Sequence, residues 1–290
     1  MMDNSGMISR RTFLHTATAA ATLPHLVRAA KLNSFGLQLY TVRTVINAKT
    51  VDVIKAVEEA GYKEIEAVWA NLDQIVAALK QTSLKPVSVH LDSKIVSSGS
   101  EEEIAHAVET CHHHGFSYAV HPYVPPAERG GNEAMKILAG KLNRAGEKFR
   151  AAGISLCYHN HAFEFDPSAG ATPFQTLLDG TDKKLVGIEM DAFWVSVAGH
   201  DPVEMLGKLS GRVPLMHLKD KAQGTPVQFN ETVPRTAFKE IGNGVLDWAK
   251  ILKAAHAAGV KHYFVEQDQT PGDPVESIKE SAAYLAKLSF

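Results

Sequence analysis

Cysteine is scarce in this chain of 290 residues: there are two, Cys111 and Cys157. One falls in a segment with helical spacing and the other inside an apolar run. That excludes a disulfide framework and predicts two buried thiols rather than a thiol nucleophile. Charge of one sign is not in excess either. Thirty lysines and arginines face 32 aspartates and glutamates, a net charge of −2, so the basic surface of a nucleic-acid binder is absent. Beyond the N-terminal region no apolar run approaches the ~20 residues needed to span a bilayer. The first strand-to-helix turn, LQLYTVR, has no glycine, and the GNG at 242–244 stands alone. A doubly wound sheet with a glycine-rich phosphate loop is therefore the weaker fold expectation. No low-complexity linker and no block of like charge divides the chain.

What is present is ordinary globular composition, 45% hydrophobic and 21% charged, with an unusual 14 histidines. Residues 7–30 read MISRRTFLHTATAAATLPHLVRAA. Paired arginines, an Ala/Thr-rich run and a small-residue site follow in the order of a twin-arginine export signal. Residues 1–30 are therefore set aside as a signal segment, and residues 31–290 form the domain. This predicts a periplasmic or exported protein that meets the twin-arginine export machinery already folded.

From Phe35 onward short apolar runs alternate with helical spacing. The runs are 35–39, 64–68, 86–90, 118–121, 154–159, 185–191, 213–219 and 262–266. Their few charges suit parallel strands covered on both faces. Between them, VDVIKAVEEAGY places Val53, Ile54, Val57 and Ala60 on one helical face and stops at Gly61. Asp201 followed by Pro202 is a helix start. Eight such alternations predict a single-domain α/β fold, a (β/α)8 TIM barrel.

Active sites of such barrels sit at the carboxyl ends of the strands. Read in that frame, the strand ends carry Gln38 and Tyr40, Glu66 with Trp69 beyond, His90, His121, His159 with Asn160, His161 and Glu164, Asp191, His217 with Lys219, and Glu266. One buried histidine is usually a satisfied core residue. A ring of metal-competent side chains at one end asks for a shared partner. Asp191, His217 and Glu266 lie on three consecutive strands and can converge on one ion, with His159 or Glu164 as the fourth ligand. Such a set suits one divalent ion: Mn, Mg, Co or Zn.

The segments YHNHAFEF, GIEMDAFWVSVAG, GRVPLMHLKD and YFVEQD resemble the xylose isomerase-like TIM barrel superfamily of sugar phosphate isomerases and epimerases, over roughly residues 35–290. The resemblance implies a metal held by Glu, Asp, His and Glu from strands 5 to 8. The last three are Asp191, His217 and Glu266 here. At the first position this chain has His159, with Glu164 five residues later. The resemblance also implies proton abstraction beside a sugar carbonyl through an enediolate, with Glu266 or His159 as base and Lys219 polarising the carbonyl or donating a proton. Gln38, Glu66, Trp69, His90, His121, His161, Phe193 and Trp194 are the expected substrate-binding residues. The expected partner is a small carbohydrate, unphosphorylated given the export signal, and the sequence leaves room for a homo-oligomer. Without a second metal-bound glutamate, a lyase or dehydratase acting on a 3-keto-glycoside stands beside the isomerase or epimerase. A non-catalytic sugar-binding barrel would not need Asp191, His217 and Glu266 together.

Overall fold

The apolar runs are strands because each is covered on both sides. The structure, a computed structural model, describes residues 30–290, so the expected signal segment lies outside the described residues apart from Ala30. The strands are β1 (Gly36–Gln38), β2 (Glu64–Val68), β3 (Lys85–His90), β4 (Tyr118–His121), β5 (Ser155–His159), β6 (Val186–Asp191), β7 (Leu215–Leu218) and β8 (His262–Val265). All neighbours pair in parallel, and β1 pairs with both β2 and β8, which closes the sheet into a (β/α)8 TIM barrel. An open doubly wound sheet would leave two edges, and this one has none.

Eight principal helices form the outer layer: α1 (Thr50–Glu59), α2 (Leu72–Leu79), α3 (Glu101–His114), α4 (Gly131–Ala151), α5 (Pro173–Gly180), α6 (Pro202–Lys208), α7 (Trp248–Ala258) and α8 (Pro274–Lys287). Helix α1 buries Val53, Ile54 and Val57 against the barrel, as the spacing predicts. Ser100 caps α3 by accepting from Glu103 N–H, its first turn is acidic, and Gly115 at φ 78° ends it. Asp201 caps α6 with Pro202 in the first turn. Among the described residues no helix is long and apolar enough to cross a membrane.

The GNG segment belongs to the loop before α7. The Gly242 and Gly244 amides and the Trp248 indole N–H all donate to Asp220 Oδ2. A Cβ on Gly244 would meet Asp220 Oδ1 at 2.2 Å, so the glycine lets backbone close over that carboxylate. Both cysteines are buried and free.

The barrel interior changes character along its axis. Near the amino ends of the strands Val87, Tyr118, Val120, Cys157, Leu215 and Phe264 form a separate apolar cluster inside the sheet. Side chains alternate along a strand, so the next inward residues follow at steps of two. Cys157 is followed inside by His159, Leu215 by His217 and then Lys219, and Phe264 by Glu266 and then Asp268. The same alternation directs His121 outward, because Tyr118 and Val120 take the inward positions on β4.

Candidate metal centre

Register brings the ionisable groups together. Asp191 lies opposite His217, and His159 opposite Glu189. His159, Asp191, His217 and Glu266 each offer one ligand atom, all within 4.8 Å of one another. All four are buried, the most open being Glu266 at 6%. Two carboxylates and two imidazoles at that spacing form a four-ligand set for a divalent ion.

The donor set fits a cation by two observations. Among the described residues, the buried Glu189 Oε1 has no hydrogen-bond partner, and Asp191 Oδ2 has none beside its ion pair with Lys219. Five carboxylates also crowd the cluster, Asp191, Glu266 and Asp268 around Lys219 and Glu66 and Glu189 around His217, so it holds more negative than permanent positive charge. A buried excess of that kind is costly unless a cation offsets it.

Lys219 is fully buried, with Nζ 3.0 Å from Asp191 Oδ2 and 2.6 Å from Glu266 Oε2, and it also pairs with Asp268. Burial opposes its charge, but Asp191, Asp268 and Glu266 outweigh burial and hold its pKa well above the ordinary lysine value. Burial likewise opposes ionisation of Glu266, yet Lys219 and His217 keep that carboxyl well below the usual range. Burial, reinforced by His217 and His161, pushes His159 well below the ordinary imidazole value, which leaves it neutral with a lone pair to give.

Beneath this set lies a second layer. His217 Nε2 is 2.5 Å from Glu66 Oε2, and Ser88 Oγ donates to Glu66 Oε1 at 2.6 Å. The pairing of β2 with β3 shifts register between Ile65 and Glu66, which sets Glu66 beside Ser88. His90 Nε2 is 2.7 Å from Glu189 Oε2 and 3.1 Å from Glu66 Oε2.

Above the ligand cluster a cavity of about 810 Å³ opens at the mouth, lined by His90, His159 and Glu266 at its floor and by Tyr40, Trp69, Tyr123, His161, Trp194 and Phe238 on its walls. A loop between residues 220 and 239 reaches over one side. It is anchored by a two-stranded ribbon of Asp220–Lys221 with Phe238–Lys239 and by a two-bonded ion pair from Arg129 to Glu231. The Arg129 guanidinium lies 3.7 Å over the Phe163 ring.

Several expected site residues stand elsewhere. Glu164 is not in the converging set: its carboxylate accepts from Tyr158 O–H at 2.7 Å and from the His161 amide at 2.8 Å, which ties down the loop after β5. Of the two strand-5 alternatives, His159 alone is at the cluster. His121 faces the helices and packs on Tyr158. Gln38 is buried and accepts from the Tyr40 amide, bracing the turn after β1. Phe193 is stacked on Phe238 at 4.7 Å, behind Trp194 rather than on the cavity wall. Glu189 and Asp268 were not anticipated. Each lies two residues from a singled-out position, Asp191 and Glu266, and so on the same strand face. That spacing was the available signal.

The sequence profile of the xylose isomerase-like TIM barrel family matches residues 54–288. The chain belongs to that family. Inosose dehydratases of Geobacillus thermodenitrificans and Clostridium perfringens are 28% and 29% identical over 169 residues, covering 53% of this chain and 54% of theirs. The chain thus spans about half the length of the curated relatives it matches. Among solved structures, a sugar phosphate isomerase/epimerase from Parabacteroides distasonis superposes with TM-score 0.72 at 24% identity, over 92% of this chain and 98% of that one. The IOLI protein with a bound zinc atom gives 0.68 at 16%, over 89% and 99%. The probable 3-DHS dehydratase AsbF of Bacillus anthracis gives 0.66 at 13%, over 88% and 99%. At these identities the structural likeness establishes the fold.

Proposed function

We propose that the protein is a divalent-metal-dependent enzyme that removes a proton beside the carbonyl of an unphosphorylated sugar or keto-sugar. The observation that carries this is the convergence of His159, Asp191, His217 and Glu266 at the floor of an open cavity of sugar-accommodating size. A divalent ion held by those four supplies Lewis-acid stabilisation of the negative charge that develops on the sugar oxygens. The surrounding residues divide the remaining work. Glu266, kept ionised against its burial by the ammonium of Lys219, accepts the proton. Lys219, kept charged by three carboxylates and absent from the cavity lining, holds Asp191, Glu266 and Asp268 by ion pairs rather than acting as base. Trp69, Trp194 and His161 give the sugar ring a wall to pack on.

Returning the proton to a neighbouring atom or opposite face makes the enzyme an isomerase or epimerase. Passing a proton to a leaving oxygen makes it a dehydratase or lyase. The second outcome is favoured by one specific feature, the neutral His159 at the position of the first ligand glutamate, which leaves a single metal-facing glutamate. The names of the curated relatives, inosose dehydratases, accord with it. The leader read in residues 7–30 supports export in folded form and hence an unphosphorylated substrate, with a 3-keto-glycoside as the lyase substrate.

The test is incubation of purified, metal-loaded protein with keto-inositols, ketoses and 3-keto-glycosides in D2O, followed by NMR. Deuterium at the carbon beside the carbonyl, with an epimer, an isomer or an unsaturated product, is expected. Metal binding without deuterium uptake in any of them would sink the reading.

A further inference from the structure

The two histidines of the metal set stand between two layers of carboxylate. His159 turns Nε2 toward Asp191 Oδ2 at 3.9 Å and Nδ1 toward Glu189 Oε2 at 3.1 Å. His217 turns Nδ1 toward Glu266 Oε2 at 3.1 Å and Asp191 Oδ2 at 4.0 Å. Its Nε2 faces Glu66 Oε2 at 2.5 Å and Glu189 Oε2 at 3.3 Å. A neutral imidazole has one lone pair and one N–H. If the upper nitrogens are to hold a cation, the protons must sit on His159 Nδ1 and His217 Nε2, and those are the atoms the lower carboxylates face.

From this we infer that Glu189 and Glu66 are positioning residues for the metal: each accepts the N–H of one ligand histidine, fixing its tautomer and aiming its ring. The inference rests on the metal reading above and assigns roles to two residues outside the four-ligand set. Both carboxylates are fully buried on separate strands, and neither lines the cavity, so neither can reach a substrate in it. His90 Nε2, at the cavity floor, bridges them. A carboxylate behind a ligand histidine also raises the ring's basicity, and loss of such a partner typically weakens metal binding roughly 10–100-fold.

A competing use of the same atoms is a second ion, because His90, His159, Glu189 and His217 also bring ligand atoms within 4.8 Å of one another. That ion would need both shared rings to bridge two cations as imidazolates and would have to part His217 Nε2 from Glu66. Acceptance of two N–H groups requires neither change.

The experiment is titration of the full chain with Co2+, read by calorimetry and by the visible absorption of the bound ion. Wild type is expected to bind one Co2+ per chain. Glu189→Gln and Glu66→Gln are expected to bind it roughly 10–100-fold more weakly, with a shifted absorption band, because an amide can donate to the ring and move its proton to the ligand nitrogen. Circular dichroism and thermal melting confine the comparison to folded protein. Should one variant fail to fold, the other carries the same comparison through the second histidine. Two Co2+ per chain in wild type, or unchanged affinity and spectrum in a folded variant, overturns the inference while leaving the metal reading intact. No Co2+ binding by wild type overturns both.

Discussion

Two levels of the same barrel, one step of two residues apart, have opposite chemistry. Leu215 and His217, Phe264 and Glu266, and Cys157 and His159 are successive inward residues of β7, β8 and β5. Each pair is separated by roughly 7 Å along its strand. The lower level is hydrocarbon and thiol. The upper level is a packed array of carboxylates, imidazoles and one ammonium, nearly all fully buried. Burial of apolar surface stabilises the first, whereas desolvation opposes the second unless every charge is partnered. The barrel therefore keeps its stability at one end and accepts an electrostatic cost at the other. Closure by hydrogen bonding all round makes that tolerable, because no rearrangement of one strand can relieve the crowded end without breaking the sheet.

That contrast can be broken from either side. The largest expected effect is at the upper level: Glu266→Gln should lower turnover by about 10²–10⁴-fold by removing the proposed proton acceptor, measured by steady-state kinetics on whichever of the tested sugars takes up deuterium. In the lower level Phe264→Ala should reduce unfolding free energy by about 3–5 kcal/mol. Chemical denaturation measures this, and the folded variant should retain Co2+ binding. A result in which the Phe264 variant loses metal while keeping its stability would erase the division of labour.

Two smaller effects sharpen it. His121 is buried, and among the described residues neither of its ring nitrogens has a hydrogen-bond partner. His121→Leu should raise stability by about 1 kcal/mol by removing unsatisfied polar groups, without changing activity. Burial, helped by the charge at His90, pushes the His121 pKa down to about 4, against 6.5 for an ordinary imidazole. The folded imidazole thus stays neutral while the unfolded one takes a proton. Its contribution to stability is intact above pH 6.5 and lost as pH falls toward 4, so the advantage of His121→Leu should widen over that window in denaturant titrations at stepped pH. Activity loss on this substitution would return His121 to the site. The smallest effect is expected at Glu164, where Glu164→Gln should leave Co2+ affinity unchanged by calorimetry, since its carboxylate serves Tyr158 and the loop rather than the ion.

Much of this was legible beforehand for a simple reason. Parallel strands covered on both faces must be short and apolar, so charged residues at their ends stand out, and Asp191, His217, Glu266 and Lys219 were found that way. The misses share one cause. In a strand such as Tyr118–His121 both faces are buried and no polar alternation marks the inward side, so His121 looked equivalent to His90. Glu189 was overlooked because it stands inside an apolar run rather than at its end. Glu164 and His159 could not be separated, because a chain that turns after β5 can return either side chain to the mouth.

By itself the sequence determined the eightfold alternation, the end of the barrel that carries the ionisable cluster and the kinds of side chain available there. Tertiary structure alone decided which of those groups meet. Closure fixes strand register, register fixes which side of each strand faces the axis, and a slip of one residue would exchange the ionic cluster for the hydrocarbon beneath the helices.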